Sequence, residues 1–173
     1  GYDSNQYFAG KSNRKFNQFL SRVTEQYYDS SPVINNEQLN KQNLSKQIMR
    51  ARTNLIKGFL ERRDMEQYRK GTSPEATIFR AVFVRTGVVA FKGEEVKTVD
   101  AGVQQILNLI QDFIQKAVGK PQSFEGLYQL LMGEHYGARK GVLPLYLAFE
   151  ITRWRQMPVL YLGKKEVALT EHI

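Results

Sequence analysis

The stretch VLPLYLAFEITRW (residues 142–154) decides the fold of this chain, because nearly every position in it is apolar. At helical spacing these side chains cover almost the whole circumference, and Glu150 is the one acidic group among them. A helix that is apolar all round belongs in the interior of a protein. We therefore predict a helix from about Val142 to Arg155 that forms the centre of one compact unit.

A second stretch, SKQIMRARTNLIKGFLERR (residues 45–63), predicts an amphipathic helix capped by Ser45 and ending at about Asp64. Its apolar residues share one broad face: Ile48, Met49, Ala51, Leu55, Ile56, Phe59 and Leu60. Lys46, Arg50 and Lys57 lie together on the opposite face. Such a row attracts polyanions, nucleic acid first, although a solvated face of a basic protein has the same pattern.

Arg52 departs from this division, because it falls between Ile56 and Phe59 inside the apolar arc. A buried arginine is costly unless it is paired, and Glu150 on the central helix is the natural candidate. An Arg52–Glu150 ion pair would join the N-terminal and C-terminal parts of the chain. The alternative is that Arg52 extends along the rim of the core with its charged group in water. Both interpretations give Arg52 a structural role.

The remaining pattern completes a mainly α fold of six to seven helices with a small C-terminal β-hairpin. Further helices are predicted at about residues 13–28 (capped by Ser12), 74–87 (capped by Ser73), 99–118 and 124–132 (capped by Ser123), with a short strand at 88–91. PVLYLGKKEVALT alternates and turns at GKK, which predicts the hairpin. The order of helices and strands in the C-terminal part also fits a winged helix. Its third helix would be residues 142–154, which are too apolar to present a basic face to the major groove of DNA. We divide the chain into residues 1–72 and 73–173, two parts of one unit.

Composition narrows the class of protein. The net charge is +8, with 13 Lys/Arg against 7 Asp/Glu in residues 1–73 and 12 against 10 in residues 74–173. Because the chain has no cysteine, disulfides and thiolate sites are excluded, which fits a reducing, cytoplasmic setting. The longest apolar run has eight residues, far below the roughly 20 that a membrane helix needs. We therefore expect no membrane partner.

No arrangement of residues indicates an enzyme. The two histidines, His135 and His172, are far apart in sequence, and neither belongs to a metal or triad motif. The loop EHYGARKG (residues 134–141) places Arg139 and Lys140 between two glycines just before a helix, as an anion-binding turn would. The same glycines can simply serve turn geometry. We predict no catalytic residues, no metal and no cofactor.

Two stretches together resemble a region of large prokaryotic P-loop ATPases from anti-phage and DNA-modification systems of the bacteriophage-exclusion type. They are SSPVINNEQLNKQNLSKQIMRARTNLI with SPEATIFRAVFVRTGV, and HYGARKGVLPLYLAFEI with VLYLGKKEVALTEHI. The most specific residues are Ile34, Asn35, Asn36, Glu37, Tyr136, Gly137, Gly141 and Pro144. The resemblance runs from about Ser31 to the end and implies an accessory module beside an ATPase core. The Walker motifs of that family do not occur in this sequence, so no nucleotide site is carried over.

These observations lead to a hypothesis and an alternative. The chain starts with glycine and ends on VALTEHI, so we interpret it as a piece of a longer protein. The leading hypothesis is a non-catalytic, nucleic-acid-associated module of a larger ATPase, with DNA and the ATPase core as the candidate partners. Its candidate contact residues are Lys46, Arg50, Lys57, Arg62, Arg139, Lys140, Lys164 and Lys165. The alternative is a protein-interaction or structural module that transmits the motion of the ATPase without touching nucleic acid.

Overall fold

The computed structural model describes residues 13–27, 31–32, 34, 36, 39, 41, 43–154 and 157–168. Within them six α-helices follow one another: α1 (Asn13–Tyr27), α2 (Lys46–Leu60), α3 (Pro74–Phe79), α4 (Ala101–Lys116), α5 (Phe124–Met132) and α6 (Leu143–Arg153). Strands β1 (Leu160–Leu162) and β2 (Lys165–Val167) come last. The prediction of a mainly α fold with a small C-terminal hairpin is confirmed. Ser12, Tyr28, Arg155 and His172 lie outside the described residues.

Helix α6 is the centre of the core, as its sequence predicts. Eight of its eleven residues are buried, Glu150 among them. Helices α2 and α4 pack against it. Two side chains of the α2 region reach the ends of α6: Arg52 Nη1 donates to the carbonyl of Gly141 (3.5 Å), and Arg62 Nη2 donates to that of Trp154 (3.4 Å). Helices α2 and α6 therefore run in the same direction.

Aromatic rings fill the space where α2, α3 and α6 meet. Phe83 lies at the middle of the cluster, with ring centroids 4.9 Å from Phe59, 5.2 Å from Phe149 and 5.7 Å from Tyr146. Phe79 extends it, 5.5 Å from Phe83. Tilted and edge-on pairs at such separations are the favourable arrangements for aromatic rings. The cluster holds residues from both halves of the sequence in one core.

Short polar side chains start four of the helices. Ser45, Ser73, Asp100 and Ser123 each accept a hydrogen bond from a backbone N–H in the first turn of α2, α3, α4 and α5 respectively. Each bond satisfies one of the amide groups that a helix leaves unpaired at its N-terminus. Of the four predicted serine caps, Ser45, Ser73 and Ser123 are confirmed, and Ser12 lies outside the described residues.

Helix α2 ends at Leu60, four residues before the predicted end. Arg62 adopts a left-handed backbone (φ 54°), and its N–H bonds to the carbonyl of Phe59 (2.8 Å). The N–H of Arg63 bonds to the carbonyl of Gly58 (2.9 Å). These two bonds form a Schellman motif, which usually has glycine at the left-handed position. Asp64 then caps a 3₁₀ turn, Met65–Tyr68, instead of extending α2.

The helix that begins at α3 widens into a π-helical turn over Arg80–Val84, where the N–H of Arg85 bonds to the carbonyl of Arg80 (2.8 Å). Two hydroxyl groups donate to the carbonyl of Val82 in this turn: Thr86 at 2.6 Å and Tyr146 at 3.4 Å. Thr86 is 3% exposed and Tyr146 is fully buried, and burial raises the pKa of Tyr146. A buried carbonyl is thus satisfied by side chains where the helix geometry changes.

We expect the variant Thr86→Val to lower the free energy of unfolding by about 1–3 kcal/mol, because it removes a buried hydrogen-bond donor and leaves the shape nearly unchanged. Thr53→Val is the matched control, since Thr53 makes the same bond to the carbonyl four residues earlier (Met49, 3.0 Å) but is exposed. Urea unfolding of both variants measures the difference. Equal effects would show that the bond to Val82 adds nothing beyond helix propensity.

The predicted strand at Val88–Phe91 is wrong. Residues 88–99 form an irregular loop that closes at its base, where the N–H of Asp100 bonds to the carbonyl of Thr86 (2.9 Å). The segment has strand-like composition, but no neighbouring strand is present in the described residues to receive its backbone groups. The closed loop brings the start of α4 against the end of the π-helical turn.

The hairpin is antiparallel, with Leu160 opposite Val167 and Leu162 opposite Lys165. Gly163 has positive φ (64°) at the turn, next to exposed Lys164. The predicted turn at GKK is confirmed, whereas the winged-helix interpretation stays a prediction. At the other end of the chain, α1 presents Phe16, Phe19, Leu20 and Val23 on a largely exposed face.

Candidate nucleic-acid interface

The basic row predicted on α2 is present as a continuous solvent-facing surface. Lys46, Arg50 and Lys57 are all exposed, and the opposite face of α2 is buried against the core. Within the described parts of the chain, none of the three side chains has a carboxylate close enough for an ion pair. Their charges are therefore free to interact with an anion from outside.

Two acidic groups close to α2 among the described residues are engaged elsewhere. Glu61, just beyond the end of α2, forms an ion pair with Arg63. Glu75 on α3 accepts a hydrogen bond from Asn54 Nδ2 at 2.9 Å. Thr53, between Arg50 and Asn54, is exposed and neutral. The row is thus a face of three cations separated by neutral polar residues.

The other predicted contact residues lie on separate elements. Arg62 occupies the left-handed turn after α2, where its side chain donates to the carbonyl of Trp154. Arg139 and Lys140 are exposed in the loop before α6. Lys164 and Lys165 are exposed at the hairpin turn. The eight candidates therefore divide into four groups, of which only the α2 row has three cations on one regular element.

The predicted Arg52–Glu150 ion pair is wrong. Glu150 is fully buried, and its carboxylate accepts from Arg153 Nη1 (3.0 Å) and Gln111 Nε2 (2.7 Å). Arg52 instead bonds to the backbone carbonyl of Gly141. Arg52 does join the two parts of the chain, as expected, but through a main-chain acceptor. The carboxylate is satisfied within α6 and by α4, on another side of the central helix.

Arg52 is half-buried, and its surroundings explain why it remains structural. Burial lowers the pKa of Arg52, and the nearby Tyr128 on α5 opposes that effect. Burial also raises the pKa of Tyr128 to about 12, and the charge of Arg52 opposes this shift. At neutral pH the guanidinium is therefore charged beside a neutral phenol. Tyr128 and Gln111 were not identified from the sequence, because polar partners so distant along the chain leave no local pattern.

The glycine-rich loop before α6 is organised mainly by its own backbone. The N–H of Gly137 bonds to the carbonyl of Gly133 (2.8 Å), and that of Ala138 bonds to Leu131 (2.9 Å). Gly137 has positive φ (56°), and a Cβ on Gly141 would lie 2.8 Å from the carbonyl oxygen of Leu39. Both glycines thus meet geometric needs of the turn. The anion-binding interpretation of Arg139 and Lys140 stays a prediction.

Several residues that carry the resemblance to the ATPase region have packing roles. Ile34 and Asn36 are buried, and Asn36 Oδ1 accepts from the N–H of Leu39 (3.1 Å), a fully buried residue. Pro144 is buried in the first turn of α6. Asn35 and Glu37 lie outside the described residues. Ile34, Asn36 and Pro144 therefore support the fold and do not by themselves indicate a binding site.

Comparison with known proteins finds no matching family model, no matching curated protein and no matching solved structure. In the described residues, no helix combines the length and the apolar character needed to cross a membrane. Among the residues that the structure describes, no group of three or more His, Asp or Glu side chains is arranged to hold a metal ion.

Proposed function

We propose that this chain is a non-catalytic nucleic-acid-associated module that contacts phosphate groups through Lys46, Arg50 and Lys57 on α2. The observation that carries the proposal is that these three side chains are exposed on one face with no carboxylate partner in the described residues. Cations that already form ion pairs would have to give them up before meeting a phosphate. This row does not have that cost.

The spacing of the row suits a polyanion better than a single ion. Lys46 and Lys57 are separated by about 16 Å along the axis, at about 1.5 Å per residue. Duplex DNA presents one charge per about 1.7 Å of its axis, so several phosphates lie within that span. Long flexible side chains on one face can each meet a different phosphate. The interaction would neutralise the backbone without reading the base sequence.

The fold also limits how DNA could be contacted. In a winged helix, the third helix presents polar and basic residues to the major groove. Helix α6 is buried almost completely and presents no such face. Binding through α2 would therefore be electrostatic and strongly dependent on salt. Membership of a larger DNA-linked ATPase rests on the sequence resemblance alone and is part of this proposal.

The decisive experiment is a fluorescence-anisotropy titration with labelled single- and double-stranded DNA at several salt concentrations. We expect the triple variant Lys46→Ala, Arg50→Ala, Lys57→Ala to bind more weakly and to lower the slope of log K against log salt by up to about three units, because each lost phosphate contact removes about 0.7–0.9 units. Circular dichroism and thermal unfolding should show an intact fold, since all three side chains are exposed.

A second triple variant controls for net charge. Lys97, Lys116 and Lys120 are exposed on other elements, and replacing them with alanine removes the same three charges. This control should retain the slope of the unmodified protein to within about one unit, because contacts and not overall charge set the slope. Equal slopes for the two triple variants would remove the α2 row from the interface. Absence of binding at low salt would overturn the proposed function.

A further inference from the structure

A pocket of about 320 Å³ opens at the C-terminal ends of α2 and α6, on the core side of α2 and away from the basic row. Its apolar lining, the floor of the pocket, includes Phe59, Phe79, Phe149 and Val89. Phe149 and Val89 expose part of their surface, whereas Phe59 and Phe79 are buried. Arg62 and Arg63 line it as cations. Pockets of this size with an apolar lining and a few polar groups are the usual form of a ligand site.

The floor of the pocket is rigid because it belongs to the aromatic core. Phe59 and Phe79 are buried, with ring centroids 6.1 Å apart, and Phe149 meets Phe59 edge-on at 5.7 Å. Phe149 is only half-buried, so part of its surface is available to a ligand. An incoming aromatic ring would extend an existing cluster without requiring the core to rearrange.

The backbone hydrogen bonds at the end of α2 fix the main-chain positions of Arg62 and Arg63. The Schellman bonds of Arg62 and Arg63 hold both residues directly after the helix, and the left-handed conformation of Arg62 is one that non-glycine residues seldom adopt. The side chains of both arginines therefore begin from a fixed position beside the pocket.

The charges of the pocket leave one cation available. Arg63 is paired with Glu61, whereas Arg62 has no carboxylate partner among the described residues. Arg62 donates one hydrogen bond, to the carbonyl of Trp154. A guanidinium carries five N–H groups, so several remain for an acceptor. The pocket thus combines an aromatic floor with one uncompensated guanidinium.

We propose that this pocket docks a peptide segment of a partner protein in which an aromatic side chain is followed closely by a carboxylate. The ring would pack on the exposed parts of Phe149 and Val89, and the carboxylate would meet Arg62. A nucleobase fits less well, because its polar edges would lose water against carbon atoms that cannot replace those hydrogen bonds. This proposal does not depend on nucleic-acid binding by the α2 row, which lies on the other face of the helix.

The test uses the full chain, isotope-labelled for two-dimensional NMR, with N-acetylphenylalanine as the probe. We expect saturable shifts confined to pocket residues such as Val89, Thr152 and Met65. The amide of the same compound, which lacks the carboxylate, should bind about fivefold more weakly or worse. Arg62→Gln should weaken binding of the acid by a similar factor of about five and leave binding of the amide unchanged.

Two further variants test the apolar part of the pocket separately from Arg62. Val89→Phe fills the floor and should abolish the shifts, whereas Val96→Phe adds the same ring to the same loop at a position that is 78% exposed and should leave them unchanged. Thymidine monophosphate is titrated in parallel. Tighter binding of the nucleotide, equal binding of acid and amide, or shifts outside the pocket would each overturn the proposal. Thermal unfolding confirms that each variant used is folded.

Discussion

Replacing Gly87 with alanine is expected to lower the free energy of unfolding by about 3 kcal/mol or more, from two independent costs. Gly87 has φ 79°, a conformation that a side chain with Cβ disfavours by about 1–2 kcal/mol. A Cβ at this position would also lie 2.5 Å from the carbonyl oxygen of Thr98. That oxygen belongs to backbone held next to the Thr86–Asp100 hydrogen bond, so it cannot move away cheaply.

Gly119→Ala separates the two costs. Gly119 has nearly the same backbone angle (φ 78°), but no atom lies within 4 Å of the Cβ it would acquire. This control should cost about 1–2 kcal/mol, from backbone conformation alone. Urea unfolding of both variants gives the difference, which reports the contact with Thr98. If Gly87→Ala cost no more than Gly119→Ala, the close packing of the loop base would be refuted.

Local patterns in the sequence were sufficient for most of the fold. The all-round apolar character of residues 142–154 predicted the buried central helix, and Ser45, Ser73 and Ser123 predicted helix starts that the structure confirms. These features depend on residues within one or two turns of each other. They are therefore visible without knowledge of the tertiary structure.

The wrong predictions have other causes: one is an unusual local backbone conformation, and two are dependence on distant parts of the chain. The end of α2 at Leu60 requires a left-handed arginine, where sequence rules expect glycine. Val88–Phe91 has strand composition, but the described chain provides no neighbouring strand. Arg52 bonds to a backbone carbonyl, a group that every residue has, so no residue type in the sequence could mark Gly141 as its partner.

Of the two candidate sites, one was visible in the local sequence pattern and the other was not. The α2 row was predictable because its three cations lie on one helical face. The pocket was not predictable, since its lining comes from four separate segments that only the fold brings together. Arg62 was identified from its charge as a nucleic-acid contact, whereas its position places it beside the aromatic floor. The charge of a residue indicates that it can bind an anion, but it does not indicate which groups surround it in the fold.

Replacing Glu150 with alanine is expected to destabilise the protein by about 3–5 kcal/mol, because it leaves the amide of Gln111 without its acceptor and opens a cavity in the core. Glu150 is 0% exposed, and it joins Gln111 on α4 to Arg153 at the end of α6. Without the carboxylate, the half-buried amide of Gln111 loses its acceptor. Arg153 is affected less, since its side chain is 56% exposed and can turn to water.

Glu150→Gln tests whether the charge or the volume of the Glu150 side chain stabilises the protein, and Glu95→Ala is the exposed control. The glutamine fills the same space and retains one acceptor oxygen, so it should cost clearly less than alanine. Glu95 is an exposed loop residue, and its replacement by alanine should change the free energy of unfolding by at most about 0.5 kcal/mol. Urea unfolding at neutral pH compares the three variants. A cost below about 1 kcal/mol for Glu150→Ala would contradict the prediction and mean that the α4–α6 contact does not depend on this carboxylate.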